Sequence, residues 1–158
     1  MDISIIIFLL GGLFLGWSLG ANDAANVFGT AVGTRMVRFK TAAIVCSIFV
    51  ILGAIISGSG TTETLGKLGA INALPGAFAA CVAAGLSVYL MTKAGLPVST
   101  TQAIVGAIVG WNLYTGSDTN IRVLITILGT WVLCPVIAGI IAMGFFTITK
   151  KSYKSFCR

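Results

Sequence analysis

Long apolar runs, separated by short polar or basic breaks, dominate this chain. The first run extends from Ile3 to Thr34 and carries Asp23 as its only charged side chain. A helix of that length is about 48 Å long at ~1.5 Å per residue, against a bilayer core of about 30 Å. The run is too long for one straight span, and its polar residues cluster inside it. A helix that breaks near Gly20–Asn26 and resumes to Gly33 is therefore expected. Counting back from Arg35 puts Asp23 about 18 Å deep, near the bilayer midplane. Gly12, Gly16 and Gly20 recur every four residues and form one smooth stripe, the pattern of close helix–helix packing.

The rest of the chain repeats this layout. Arg35–Lys40 is a short basic loop, followed by a second span from about Thr41 to Ser57. Residues 58–73 are rich in Gly, Ser and Thr and contain Glu63 and Lys67, which predicts an external or partly re-entrant segment. A third span covers about Leu74–Thr92. Pro97 then stops any preceding helix, and Ser99 is a good N-cap for a new helix to about Trp111. That helix would be roughly 18 Å long, too short to span alone. Residues 95–111 thus read as a half-helix hairpin. After a polar connection at 112–120 comes a long last span, about Ile121–Thr149, containing Pro135, and then a basic tail, Lys150–Arg158.

The expected fold is an all-α polytopic membrane protein with about four full spans plus one short half-helix or re-entrant segment, forming a single unit over residues 1–158. If the short segment and its flanks also cross, the chain makes an odd number of crossings. A second tandem copy would then be inverted, and inverted repeats with half-helices meeting at the midplane recur among transporters. Within the chain, the echo of Gly29-Thr-Ala-Val-Gly33 in Gly106-Ala-Ile-Val-Gly110 is a helix-packing pattern and not a repeat.

Composition agrees with this reading. Charged residues make up 9% of the chain and apolar residues 57%, whereas soluble domains carry about 25% charge. The net charge of +6 does not imply nucleic acid. Arg35, Arg38 and Lys40 form one cluster, and Lys150, Lys151, Lys154 and Arg158 form another. Both flank apolar segments, which is how topology-setting charges are placed. They predict a multi-pass protein of the cell (inner or plasma) membrane, with an external N-terminus and a cytoplasmic C-terminus. Met1-Asp2 offers no basic residue ahead of the first apolar run, which argues against a cleavable signal. Cys46, Cys81, Cys134 and Cys157 show no CxxC spacing, and the chain has no histidine. Neither a zinc site nor a disulfide framework is expected, and no cofactor is implied. An enzyme is not expected either: no paired carboxylates and no nucleophile with a base in reach are visible.

Two constellations could carry chemistry. Asn22, Asp23 and Asn26 share one helical face if their segment is helical. A carboxylate with two amide carbonyls suits a hard cation such as Na⁺ at Asp23 and Asn26, or a proton, and the Asn NH₂ groups can donate to an oxyanion. The plainer alternative is a polar clamp between helices. The second is Ser99, Thr100, Thr101 and Gln102. The first N–H groups of a helix lack intrahelical partners and carry partial positive charge. With hydroxyls beside them they make an anion site without a basic residue; alone, Ser-Thr-Thr is an ordinary cap. Glu63 is a third candidate, as a cation ligand or a gate at the external mouth, or as a solvated carboxylate beside Lys67.

The stretch Gly20-Ala-Asn-Asp-Ala-Ala-Asn-Val-Phe-Gly-Thr-Ala-Val-Gly33 resembles the signature of the inorganic phosphate transporter (PiT) family. Pro97-Val-Ser-Thr-Thr-Gln-Ala-Ile-Val-Gly106 is similar to its second hallmark, and Thr62-Glu63-Thr64 to a third, where members place a glutamate needed for transport. The resemblance covers residues 3–149 in the family's order. It implies a symporter for inorganic phosphate driven by Na⁺ or H⁺. Asn22 and Ser99, Thr100, Thr101 and Gln102 would then serve the substrate, and Asp23, Asn26 and Glu63 the cation. Gln102 stands where many members have histidine. Some relatives move sulfate. The family chain is usually about twice this length, with two inverted copies of the unit; this chain resembles the N-terminal one. A truncated chain, a separately encoded complementary half and an antiparallel homodimer each account for that, and the basic bias of one side argues against mixed insertion. The other functional classes left open are a non-transporting subunit that assembles with a carrier, and a passive anion channel.

Overall fold

The computed structural model describes residues 3–69 and 74–156, and all the regular structure in them is helical. In order, these are α1 (Ile3–Gly33), α2 (Phe39–Leu68), α3 (Leu74–Lys93), α4 (Thr100–Thr115) and α5 (Ile121–Phe156). All but α4 are long and apolar enough to cross a membrane. Helices are what a chain in hydrocarbon must form, because each backbone group has to find its partner inside the segment. Hydroxyls follow the same rule. Those of Ser47, Thr62, Thr64 and Ser87 donate to the carbonyls of Ala43, Gly58, Gly60 and Ala83, one turn back.

The helices up to α4 form one compact unit and α5 another. In the first unit α1 and α3 lie parallel and packed together. Backbones approach closely where a side chain is missing: a Cβ on Gly11 would stand 2.8 Å from the Phe78 ring, and one on Gly85 the same distance from Phe14. Ser18 is buried in α1, and Ala80, Ala84 and Val88 in α3. Trp17 and Tyr89 meet at 5.7 Å between ring centroids along the same seam. Helix α4 returns antiparallel to α3, with Trp111 against Gly76. At that end the Leu68 carbonyl accepts from Asn120 N at 3.0 Å, and the buried Asn112 amide lies over Gly69.

Two glycines make the α3–α4 hairpin and its exit. Gly95 at φ +72° closes α3 in a Schellman turn, with Leu96 N–H reaching Met91 O at 3.0 Å. Gly116 at φ +68° closes α4, with Ser117 N–H reaching Asn112 O at 2.9 Å. By itself, α5 is a continuous helix that contains Pro135.

Three expectations are corrected. First, α1 does not break near Gly20–Asn26; it is one helix from Ile3 to Gly33. It contains no proline, and opening it at membrane depth would strand backbone groups at several kcal/mol each, more than the ~1 kcal/mol a glycine costs a helix. Excess length is accommodated by tilt. Second, α2 does not end at Ser57 but runs to Leu68. The Thr62 and Thr64 back-bonds and the Glu63–Lys67 ion pair one turn apart keep this stretch helical; residues 70–73 of the expected re-entrant segment lie outside the described residues. Third, within the first unit the Gly12, Gly16, Gly20 stripe is not the packed face. A Cβ on any of them meets nothing within 4 Å, and the seam runs instead through Gly11, Ser18 and Asn22.

Candidate functional site

Where α1 passes the α3–α4 hairpin, the two sequence constellations meet. The expected short helix is present as α4, capped by Ser99, whose side-chain oxygen accepts from Gln102 N–H at 3.4 Å. Its 16 residues span about 24 Å, still short of a bilayer core. Thr100, 4% exposed, donates its hydroxyl to Asp23 Oδ1 at 3.0 Å. Asn22 Nδ2 donates to the same oxygen at 2.8 Å and to the Val98 carbonyl at 2.7 Å. Thr92, in the last turn of α3, reaches Asn22 Oδ1 at 3.5 Å. Asp23 lies ten residues before the end of α1, about 15 Å along the axis.

Electrostatically the arrangement is consistent. The half-buried Asp23 carboxylate is the only acidic group of α1, and it faces the end of α4 where unpaired N–H groups carry partial positive charge. Two donors satisfy one of its oxygens. Thr101 and Gln102 project from the first turn of α4 as exposed residues, and Ser99 is exposed at the cap.

The other predicted residues fall elsewhere. Asn26 is on α1 one turn beyond Asn22, exposed and outside the hydrogen-bonded cluster. Glu63 is not brought to it: it lies about 36 Å along α2 from Phe39 and is paired with Lys67 on its own helix. A cleft of about 650 Å³ between α1 and α2, lined by Gly20, Ala24, Phe28, Phe39, Ala43 and Ser47 among others, contains no residue of the cluster. Sequence reasoning missed Thr92 and the Val98 carbonyl. The only hint of Thr92 was a hydroxyl amid the apolar end of α3, and a backbone carbonyl leaves no sequence signal.

A family model described as the phosphate transporter family matches residues 19–156, a range that holds the whole cluster. The chain belongs to that family. Among curated relatives it is 35% identical over 162 residues to a protein of Thermococcus kodakarensis named "Putative phosphate permease", covering 96% of this chain and 40% of that one. A protein of the same description from Pyrococcus furiosus is also 35% identical, with 96% and 39% covered. One from Haemophilus influenzae is 35% identical over 152 residues, with 89% and 36% covered. The chain thus spans about 40% of the length of these relatives. No solved structure matches it. The family and the four long apolar helices make it a multi-pass membrane protein.

Proposed function

We propose that this chain is one half of a secondary active transporter that carries inorganic phosphate across the cell membrane together with Na⁺ or H⁺. The observation that carries the reading is the Thr100–Asp23 hydrogen bond, which joins an acidic group to the N-terminal end of a short helix in a chain of this family. In this reading the phosphate oxygens take the free N–H groups of α4, that of Thr100 among them, and the side chains of Ser99, Thr101 and Gln102, while the single hydroxyl proton of Thr100 stays on Asp23. Asp23, with Asn26 one turn away, takes the cation. The pairing has a physical logic. A dianion and a bare carboxylate repel each other, and a cation or proton on Asp23 removes that repulsion. Hydroxyls and helix-end dipoles hold an oxyanion without the fixed charge of a lysine, so they also release it. Glu63 sits outside this constellation and serves as a cation-collecting carboxylate at the external mouth.

The residues exposed at the site, Ser99, Thr101, Gln102 and Asn26, meet a second half, either a complementary repeat or a second copy of this chain. Rocking of the halves about the shared site gives alternating access. The basic Arg35–Lys40 turn and the Lys150–Arg158 tail stay cytoplasmic. The test uses membrane vesicles from the cells that make the chain, so that any second half is present. Asp23→Asn should abolish cation-driven phosphate uptake while the chain stays in the membrane at its normal level. Normal cation-dependent uptake by that variant would remove Asp23 from the mechanism. Uptake lost for sulfate and kept for phosphate would change the substrate.

A further inference from the structure

The parts of the site that face outward are held by an amide that faces inward. Asn22 is 4% exposed. An amide nitrogen has two protons, and both are spent inside the protein, one on Asp23 Oδ1 and one on the Val98 carbonyl. None remains for a phosphate oxygen. Val98 directly precedes Ser99, the cap of α4. Thr92 donates to the amide oxygen from the last turn of α3. The Val98 and Thr92 bonds therefore tie α1 to the entry of α4 and the end of α3 at one point, and the Asp23 bond, within α1, orients the carboxylate beside them.

The Thr92 bond is the longest of the three, at 3.5 Å, and its role is orientation. A reversed amide would set its oxygen against the Asp23 carboxylate and the Val98 carbonyl, two acceptors with nothing to give. A hydroxyl donating to Oδ1 selects the orientation in which both Nδ2 protons point at those acceptors.

We propose that Asn22 and Thr92 form a positioning clasp that holds the N-terminus of α4 where Thr100 reaches Asp23, and that Asn22 does not contact the substrate. The consequence for transport rests on the cation-coupled reading above; the structural consequence does not. If the clasp keeps the two ligand positions in register, a cation bound at Asp23 strengthens phosphate binding at α4. Loosening the clasp removes that linkage before it removes either binding position.

The test compares the unsubstituted chain, Thr92→Val, Thr92→Ser and the isosteric Asn22→Asp in lipid nanodiscs, by hydrogen exchange of peptides covering residues 94–102. Loss of this long neutral hydrogen bond should speed exchange in Thr92→Val by about two- to fivefold, the upper figure being that of a bond of ~1 kcal/mol. Thr92→Ser should restore it, and Asn22→Asp should speed it further. In vesicles, the ratio of phosphate KM without and with the cation gradient should collapse toward one in Thr92→Val and return in Thr92→Ser. A merely structural role would lower the amount of folded chain and the maximal rate, leaving that ratio unchanged. Unchanged exchange in Thr92→Val or Asn22→Asp, or equal acceleration in Thr92→Val and Thr92→Ser, overturns the clasp. If wild-type vesicles show no cation dependence, the transport reading fails, and exchange alone decides for or against the clasp.

Discussion

Thr100→Val is the substitution whose cost can be worked most directly from the geometry. Valine matches threonine in shape, so no cavity opens and the packing of α4 is kept. What is lost is one hydroxyl, 3.0 Å from Asp23 Oδ1 and buried where water does not take its place. Hydrogen bonds to a charged group contribute about 1.5–3 kcal/mol, a factor of roughly 10–150 in an equilibrium constant. Asp23 keeps its second donor, Asn22 at 2.8 Å, so the loss falls toward the lower part of that range. The same bond holds Thr100 where its backbone N–H meets phosphate, which pushes the functional loss upward. A fall in kcat/KM for phosphate of about 10–100-fold is expected in vesicle uptake, with the chain present at its normal level by blotting. Thr100→Ser keeps the donor and should stay within about threefold of wild type. Uptake by Thr100→Val within twofold of wild type would falsify the assignment of this bond.

Other substitutions separate packing from function. Gly69→Ala puts a Cβ 2.3 Å from Asn112 Nδ2, a side chain with 0% exposure and no room to yield; overpacking of this kind costs about 1–3 kcal/mol, so the thermal midpoint in detergent should fall clearly. Gly16→Ala meets nothing within 4 Å and gains up to ~1 kcal/mol of helix propensity, so the midpoint of the isolated chain should hold or rise; a large fall would mean that this face is packed. Glu63→Gln removes the acidic partner of Lys67 and should raise the half-saturating cation concentration a few-fold at unchanged phosphate KM; a change confined to phosphate KM would place Glu63 at the substrate instead. Gln102→His adds a titratable donor at the exposed first turn of α4; with an ordinary histidine pKa near ~6.5, phosphate binding should strengthen as pH falls through about 7, and a flat difference from wild type would put residue 102 away from the anion.

The sequence was most informative where local chemistry decides the outcome. Pro97 and Ser99 mark the start of α4 because a ring that fixes φ and a side chain that caps an N–H act within a few residues. The third span, expected over Leu74–Thr92, is found as Leu74–Lys93 for a similar reason, since Lys93 and Gly95 close it. Features set by tertiary contacts were not legible. Polar residues at 22, 23 and 26 suggested a broken helix, yet the amide and carboxylate of Asn22 and Asp23 are satisfied by Val98 and Thr100, which approach from another element. Gly12, Gly16 and Gly20 make a better stripe on paper than Gly11 and Ser18. Which stripe is used depends on where Phe78 and Gly85 of α3 lie. For α2, the Gly- and Thr-rich composition of 58–68 looked like a loop, and hydroxyl back-bonding to Gly58 and Gly60 carries it as helix. Thr92 joins the cluster through the packing of α3 beside α1, which no local pattern marks.

Coupling itself is tested most directly by accumulation. Vesicles from cells that make the chain are loaded without phosphate and given radiolabelled phosphate outside, with an inward Na⁺ or H⁺ gradient. Cation symport predicts that internal phosphate rises above the external concentration, and that it falls back when an ionophore dissipates the gradient. Vesicles from cells lacking the chain should show neither behaviour. Phosphate that only equilibrates, at a rate indifferent to the gradient, would contradict symport and leave a passive pathway in its place.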